Sequence, residues 1–229
     1  MLKHDDLSNW FEDLRKIIFD TKISIDNIQR ITHPTDDHEK QILKHGFFSH
    51  LYRQSRFTII VQLCKIFDKN SNQKRNFYKL FNRLSSEKFD KTILDILREN
   101  GISNYLFRKR GNLDEKDLKL HLFSNRDDII NEIKSLTYEI EIQKEIIEKI
   151  IILRDNYYAH FDPDSSLPPV SYDELEVLVN LAIKIYNIMY SRLYDVTLLF
   201  DHTTDWKVDY FIKILAKQKK EQIEKRNKN

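Results

Sequence analysis

One stretch of this chain brings together side chains that can do chemistry. The segment Leu153-Arg154-Asp155-Asn156-Tyr157-Tyr158-Ala159-His160-Phe161-Asp162 places a permanent cation and an imidazole five intervening residues apart. Arginine carries a planar fork of donors that matches phosphate oxygens. Histidine has an unperturbed pKa near ~6.5 and passes protons at neutral pH. Such a pair can activate a ribose 2′-hydroxyl, or protonate a leaving oxygen, while the guanidinium stabilises phosphorane charge. Asp155 can orient either the guanidinium or the imidazole. A blander role competes with this one. Arg, Asp and His near a helix C-terminus also cap carbonyls and form local ion pairs. On spacing alone that role is the more economical.

The segment breaks the pattern of its own helix. Periodicity predicts one long helix from Asp127 to His160, with Asn125 as N-cap and Asp127 and Asp128 in the first turn. One apolar stripe is Ile129, Ile133, Leu136, Ile140, Ile147 and Ile150. A neighbouring stripe is Ile142, Ile146, Leu153 and Tyr157. Arg154 continues the first stripe and His160 the second, so both polar groups leave faces meant for burial. A guanidinium cannot be buried alone; it must be paired or wet. Residues six apart differ by ~120° on an ideal helix, so these two border one groove rather than stack. A closed site is easier to build where two copies of the helix meet across a two-fold axis.

The rest of the chain supplies helices to hold this one. Only three Gly and four Pro occur among 229 residues, while Ile, Leu, Lys and Glu abound. Scarce breakers favour long helices over a many-turned β fold. Residues 7 to 31 carry apolar side chains mostly three and four apart, and Pro34 ends that helix or opens the next. A second helix is predicted from Asp36 to Phe67, followed by a loop from Asp68 to Arg75. Shorter helices are predicted over Phe77–Leu84 and Lys88–Leu97, with Asn100-Gly101 as a stop. Residues 101 to 126 are the least regular: Arg108-Lys109-Arg110-Gly111 reads as a basic loop, and Asp114 to Phe123 can hold one more helical turn or two. Pro163 and the run to Pro168-Pro169 stop the motif helix. Ser171 and Glu174 form a capping-box pattern opening a helix that ends near Phe200. A last helix starts near Thr203 or Thr204 and turns into a polar tail from Lys217 to Asn229.

Other chemistry-bearing residues have plainer roles. Cys64 lies in an apolar stretch and is expected to be a buried, inert thiol. His33, His38, His45 and His50 lack a carboxylate placed to complete a metal site, so solvated surface histidines are expected and no metal or cofactor is predicted. Arg108-Lys109-Arg110 and the tail lysines Lys217, Lys219 and Lys220 can touch phosphates, although solvated charge is the simpler account. No phosphate-cradling glycine motif is present. The formal net charge is +2 with 32% charged residues, so nucleic-acid binding needs a local patch rather than bulk charge. One cysteine and no long apolar run predict a cytoplasmic protein without membrane contact.

The Arg154-Asp155 to His160 segment resembles the motif of the HEPN superfamily: Arg, a polar residue, then His after four to six positions. Tyr157-Tyr158-Ala159-His160, at the end of a long helix before a Pro-rich loop, is similar to the abortive-infection (AbiU-type) branch. So is the helix end Leu63-Cys64-Lys65-Ile66-Phe67-Asp68. The order of helices agrees over roughly residues 1 to 200.

That resemblance implies an all-α, up-and-down helical bundle with extra helices, dimerising through the motif helix. The length of 229 residues suits one helical domain over residues 1–229, with 203–229 as a peripheral helix and tail. The resemblance also implies a metal-independent endoribonuclease that leaves a 2′,3′-cyclic phosphate and a 5′-hydroxyl, used in phage defence or as a toxin. Carried over, Arg154 is the phosphate ligand and His160 the general acid/base. Asp155 occupies the polar position, and Asn156, Tyr157 and Tyr158 are expected at the substrate; one tyrosine can stack on a base, though packing at the seam is the stronger expectation. Asp162 stands where some HEPN toxins carry a modified Tyr, so that regulation is not expected. RNA, a second copy of the chain, and an antitoxin or other protein regulator are the implied partners. The alternative is a HEPN dimer that binds RNA, a nucleotide or a protein without catalysis. A plain helical interaction protein is the third, which a monomer with Arg154 in bulk water would support.

Overall fold

A computed structural model describes residues 4–70, 75–86, 98–103, 122–159, 169–200 and 208–227, with backbone alone at 4–6, 157–159 and 227. The described residues form an all-α helical bundle. Helix α1 spans His4–Thr32, α2 Asp37–Leu43, α3 Gly46–Phe67 and α4 Phe77–Ser85. Helix α5 spans Arg126–Ile142 and α6 Lys144–Leu153, continuing into a π-helical turn over Arg154–Ala159. Helix α7 spans Tyr172–Tyr194 and α8 Asp209–Asn227. The predicted Lys88–Leu97 helix, the Arg108-Lys109-Arg110 loop and the Pro163 stop lie outside the described residues.

Local chemistry explains most boundaries. Asn125 caps α5 by accepting the Asp128 N–H at 2.9 Å, and Asp36 caps α2 by accepting the Glu39 N–H at 2.8 Å. The capping box is complete: the Glu174 N–H donates to Ser171 Oγ at 3.1 Å and the Ser171 N–H to Glu174 Oε2 at 2.7 Å. Helix α7 stops at Tyr194 rather than near Phe200. Asp195 adopts the left-handed region at φ 55°, and its N–H reaches the Ser191 carbonyl at 2.7 Å.

Three further expectations are corrected. The helix expected over Asp36–Phe67 is broken at Lys44-His45. His45 is extended and caps α3, its Nδ1 accepting the Phe47 N–H at 3.2 Å, while Gly46 is the poorest helix former in the run. The long motif helix is interrupted at Gln143, whose φ −93° and ψ 12° leave the helical region. The first stripe stays buried across the break, from Ile140 to Ile147, whereas Ile142, two residues after Ile140 and so on the other side of α5, is 59% exposed instead of opening a buried second stripe. Gly101 is not a stop: residues 98–103 are helical, and a Cβ at Gly101 would come within 2.9 Å of the Leu122 side chain. The polar tail is solvated, as its composition requires, and its Lys, Glu and Gln residues, good helix formers, carry α8 to Asn227.

The main core draws on α1, α3, α4, α5, α6 and α7. Helix α1 lies along α3 and against α7, α3 against α6, and α4 against α5. Leu7, Leu14 and Ile18 of α1 and Ile59, Ile60 and Leu63 of α3 are completely buried. Each such side chain contributes roughly 1.5–3 kcal/mol relative to exposure. The first stripe of the motif helix is buried from Ile129 to Ile150, as its spacing requires. A second, smaller cluster of Phe48, Val208 and Ile212 sits apart from the main core. It holds α8 against α2, with the Arg30 guanidinium bridging Glu39 and Asp209.

Candidate functional site

Three ties fix the motif helix before its chemistry begins. The Cys64 thiol of α3 donates to the Ile150 carbonyl of α6 at 3.4 Å. Lys149 of α6 donates to Glu174 of the α7 capping box at 2.9 Å. Arg154 then reaches back to α3, its Nη1 donating to Asp68 Oδ2 at 3.0 Å. Position 154 is thereby held from two directions, by packing along the stripe and by an ion pair to the end of another helix.

Arg154 has the pairing its place on a buried stripe demands. Its side chain is 25% exposed, and its Nε donates to Asp155 Oδ1 at 2.7 Å while Nη1 holds Asp68. The hydrogen bond to Asp155 is the strongest influence and raises its pKa further above an already permanent charge; burial opposes this, and Asp68 adds to it. Asp68 is itself fixed. Its other carboxylate oxygen accepts the Asn70 N–H at 2.9 Å and its carbonyl accepts Asn76 Nδ2 at 3.2 Å. A guanidinium has five N–H donors. Two are committed here, so an edge of the fork is left over among the described residues.

Asp155 is half-exposed and Asn156 exposed. Tyr157 and Tyr158 lie in the π turn, where the backbone alone is described, and His160 lies outside the described residues. The π turn changes the geometry that an α-helical projection assumes. Its i→i+5 hydrogen bonds bring residues five apart into register, and such turns concentrate at functional sites. The ~120° offset drawn for an ideal helix therefore does not describe residues 154–159.

Asp68 is the site residue that spacing did not reveal. It stands 86 residues from Arg154 in sequence, so no periodicity links them. The available signal was indirect: a guanidinium leaving an apolar stripe needs a carboxylate, and Asp68 ends an apolar helix. Cys64, beside this pair, is fully buried, and burial pushes its thiol up to about 12 while Arg154 pulls the other way. That fits the inert role expected of it. His45 caps a helix, and His33 Nδ1 lies 3.0 Å from the Gln29 carbonyl. Among the described residues, no group of three His, Cys, Asp or Glu is placed to hold a metal ion. No helix among them is long and apolar enough to cross a membrane.

The family model HEPN_AbiU2, described as AbiU2, matches residues 4–208. The chain belongs to the HEPN AbiU2 family. No curated protein and no solved structure matches it. The AbiU2 match takes in α1 to α7 and the whole Arg154–His160 motif, and it ends where α8 begins. The guanidinium is held by two carboxylates rather than standing in bulk water, so the observation that would have supported a plain helical interaction protein is not seen.

Proposed function

We propose that this AbiU2-family chain is an endoribonuclease of abortive infection, acting in phage defence or as a toxin, with a composite Arg/His site at a homodimer seam. Arg154 holds the scissile phosphate and stabilises the charge of the phosphorane. His160 takes the proton of the ribose 2′-hydroxyl or delivers one to the departing 5′-oxygen, and a second copy supplies the complementary group. The new bond joins the 2′-oxygen to phosphorus and the broken bond is P–O5′. The products are a 2′,3′-cyclic phosphate and a 5′-hydroxyl, and the cut needs no metal. Asp68 and Asp155 orient the guanidinium; Asn156, Tyr157 and Tyr158 face the RNA.

The observation that carries this reading is Arg154 itself, a part-buried guanidinium anchored at the end of the motif helix, with donors to spare among the described residues. Exposed apolar residues support the seam. Tyr138, Ile142 and Ile152 are 69%, 59% and 44% exposed. Tyr138 and Ile142 lie one turn apart at the end of α5, and Ile152 lies in the last turn of α6, directly before the motif turn.

Subunit mixing tests the composite site. Arg154→Ala and His160→Ala homodimers are each expected to be inactive, and exchange of subunits should restore cleavage if one copy supplies what the other lacks. Inactive variants that stay inactive after proven exchange would argue against a shared site.

One observation favours the alternative, a HEPN dimer that binds RNA, a nucleotide or a protein without cutting. Two carboxylates against one guanidinium leave the pair-plus-one net negative, which repels a phosphate. RNA binding that persists with no cleavage under any condition would select it.

A further inference from the structure

The groove between the α2–α3 corner and α8 lies apart from the motif and uses residues beyond the family match. It encloses about 880 Å³, and its polar lining is Gln41, Lys44, His45, Gln218, Lys219 and Gln222, with no carboxylate among the lining residues. Phe47, on the same lining, is 58% exposed. Its ring is nevertheless positioned: it stands edge-on to Phe48, with centroids 5.3 Å apart and planes at 80°. Phe48 is buried in the small cluster with Val208 and Ile212. The His45 cap at the start of α3 fixes the backbone on which Phe47 sits.

Charge selects the occupant. Helix α8 carries six cations, Lys213, Lys217, Lys219, Lys220, Lys225 and Arg226, against Asp209, Glu221 and Glu224. Two copies of α8 face to face would set like charge against like charge, whereas a polyanion would be attracted. An exposed ring beside lysines and amides has the makings of a single-strand platform. The ring stacks on an unpaired base, the lysines meet phosphates, and the amides bond base edges.

We propose that this groove is a single-stranded RNA-binding site in which Phe47 stacks on a base and Lys44 and Lys219 contact the neighbouring phosphates. The glutamines at 41, 218 and 222 bond the base edges. The choice of RNA among polyanions rests on the ribonuclease reading; the groove's binding does not require cleavage.

The test is fluorescence anisotropy with a short labelled oligouridine, in a His160→Ala background that leaves the probe uncut, over a series of salt concentrations. Phe47→Ala should weaken binding by about 10-fold, and Phe47→Tyr should retain it. The pair Lys44→Gln and Lys219→Gln should reduce the salt slope by about 1.4, since each single-strand phosphate contact contributes about 0.7. Equal affinity and slope for all variants would overturn the site. So would a Phe47→Ala variant that changes the protein's sedimentation while leaving RNA affinity intact, because a second copy would then fill the groove. Phe47-dependent binding by a wild-type protein that never cleaves would end the ribonuclease reading and leave this site standing. Cleavage with Phe47-independent binding would do the reverse.

Discussion

Replacing Asp68 with Asn isolates the tie that holds the candidate site. The swap keeps volume, and the amide oxygen can still accept the Asn70 N–H. What it removes is the carboxylate opposite Arg154 Nη1, a 3.0 Å bond between a side chain 25% exposed and one 10% exposed. A hydrogen bond between charged groups is worth roughly 1.5–3 kcal/mol. Water reaches the outer part of the guanidinium, and Asp155 still holds Nε, so the lower end applies. The expected loss is about 1.5 kcal/mol. For a chain of this size, a loss of that order lowers Tm by about 3–6 °C. In an Arg154→Met background the same change should remove little, giving a coupling of about 1 kcal/mol in the double-mutant cycle. Cleavage should fall on the order of 10-fold in kcat, because a guanidinium that swings loses its aim. Thermal melts, the cycle and single-turnover cleavage supply the numbers. An additive cycle would refute the tie. Faster cleavage would refute the positioning role, since Asp68 would then be competing with the phosphate.

Ile152→Glu or Ile142→Glu puts a charge on an exposed apolar position and should leave the monomer's melting within about 1 kcal/mol of wild type. If the seam runs along this face, sedimentation should show a monomer and cleavage should be lost; an intact dimer would remove the seam from this face. The Arg30–Glu39–Asp209 bridge should give α8 an acid-sensitive attachment. Burial raises the Glu39 carboxyl, but hydrogen bonds from Arg30 and the Thr35 N–H outweigh it, so the net shift is downward from 4.5; Asp209 is also shifted down, bonds from Lys213 and Arg30 overcoming burial. A depressed folded-state pKa gives stability that is present above the unfolded value and lost as pH falls through the folded one. Glu39→Gln should therefore melt earlier than wild type at pH ~7, with the gap closing below pH ~4; a gap that holds constant would contradict the linkage. Cys64 should resist alkylation in the native protein at pH ~8 and react only on unfolding, since burial holds the thiol protonated. Rapid native labelling, read by mass spectrometry, would put Cys64 on an open surface.

The sequence speaks most clearly where one local rule decides. Asn125, Asp128, Ser171 and Glu174 announce their caps in four-residue patterns, and the stripe from Ile129 to Ile150 announces its burial by spacing alone. The π turn at Arg154–Ala159 has no such sign, because neither Gly nor Pro marks it and its residue types suit an ordinary helix. Gln143 breaks a helix that its composition would continue, yet the first stripe stays buried across it while Ile142 of the second stands in solvent. Gly101 misled for the opposite reason. Its lack of a side chain serves close approach to Leu122 rather than a turn, and only three-dimensional packing shows which. Asp68 belongs to the site through a contact across 86 residues that no window spans. The arginine's need for a partner was legible; the partner's identity was not.

The composite ribonuclease site is tested most directly by incubating the purified protein with cellular RNA and transfer RNA in EDTA, beside Arg154→Ala and His160→Ala, and determining the chemistry of the new ends. Cleavage that leaves 2′,3′-cyclic phosphate and 5′-hydroxyl ends, abolished in both variants, is the predicted result. Cleavage that survives either substitution, or that yields 3′-hydroxyl and 5′-phosphate ends, would contradict it.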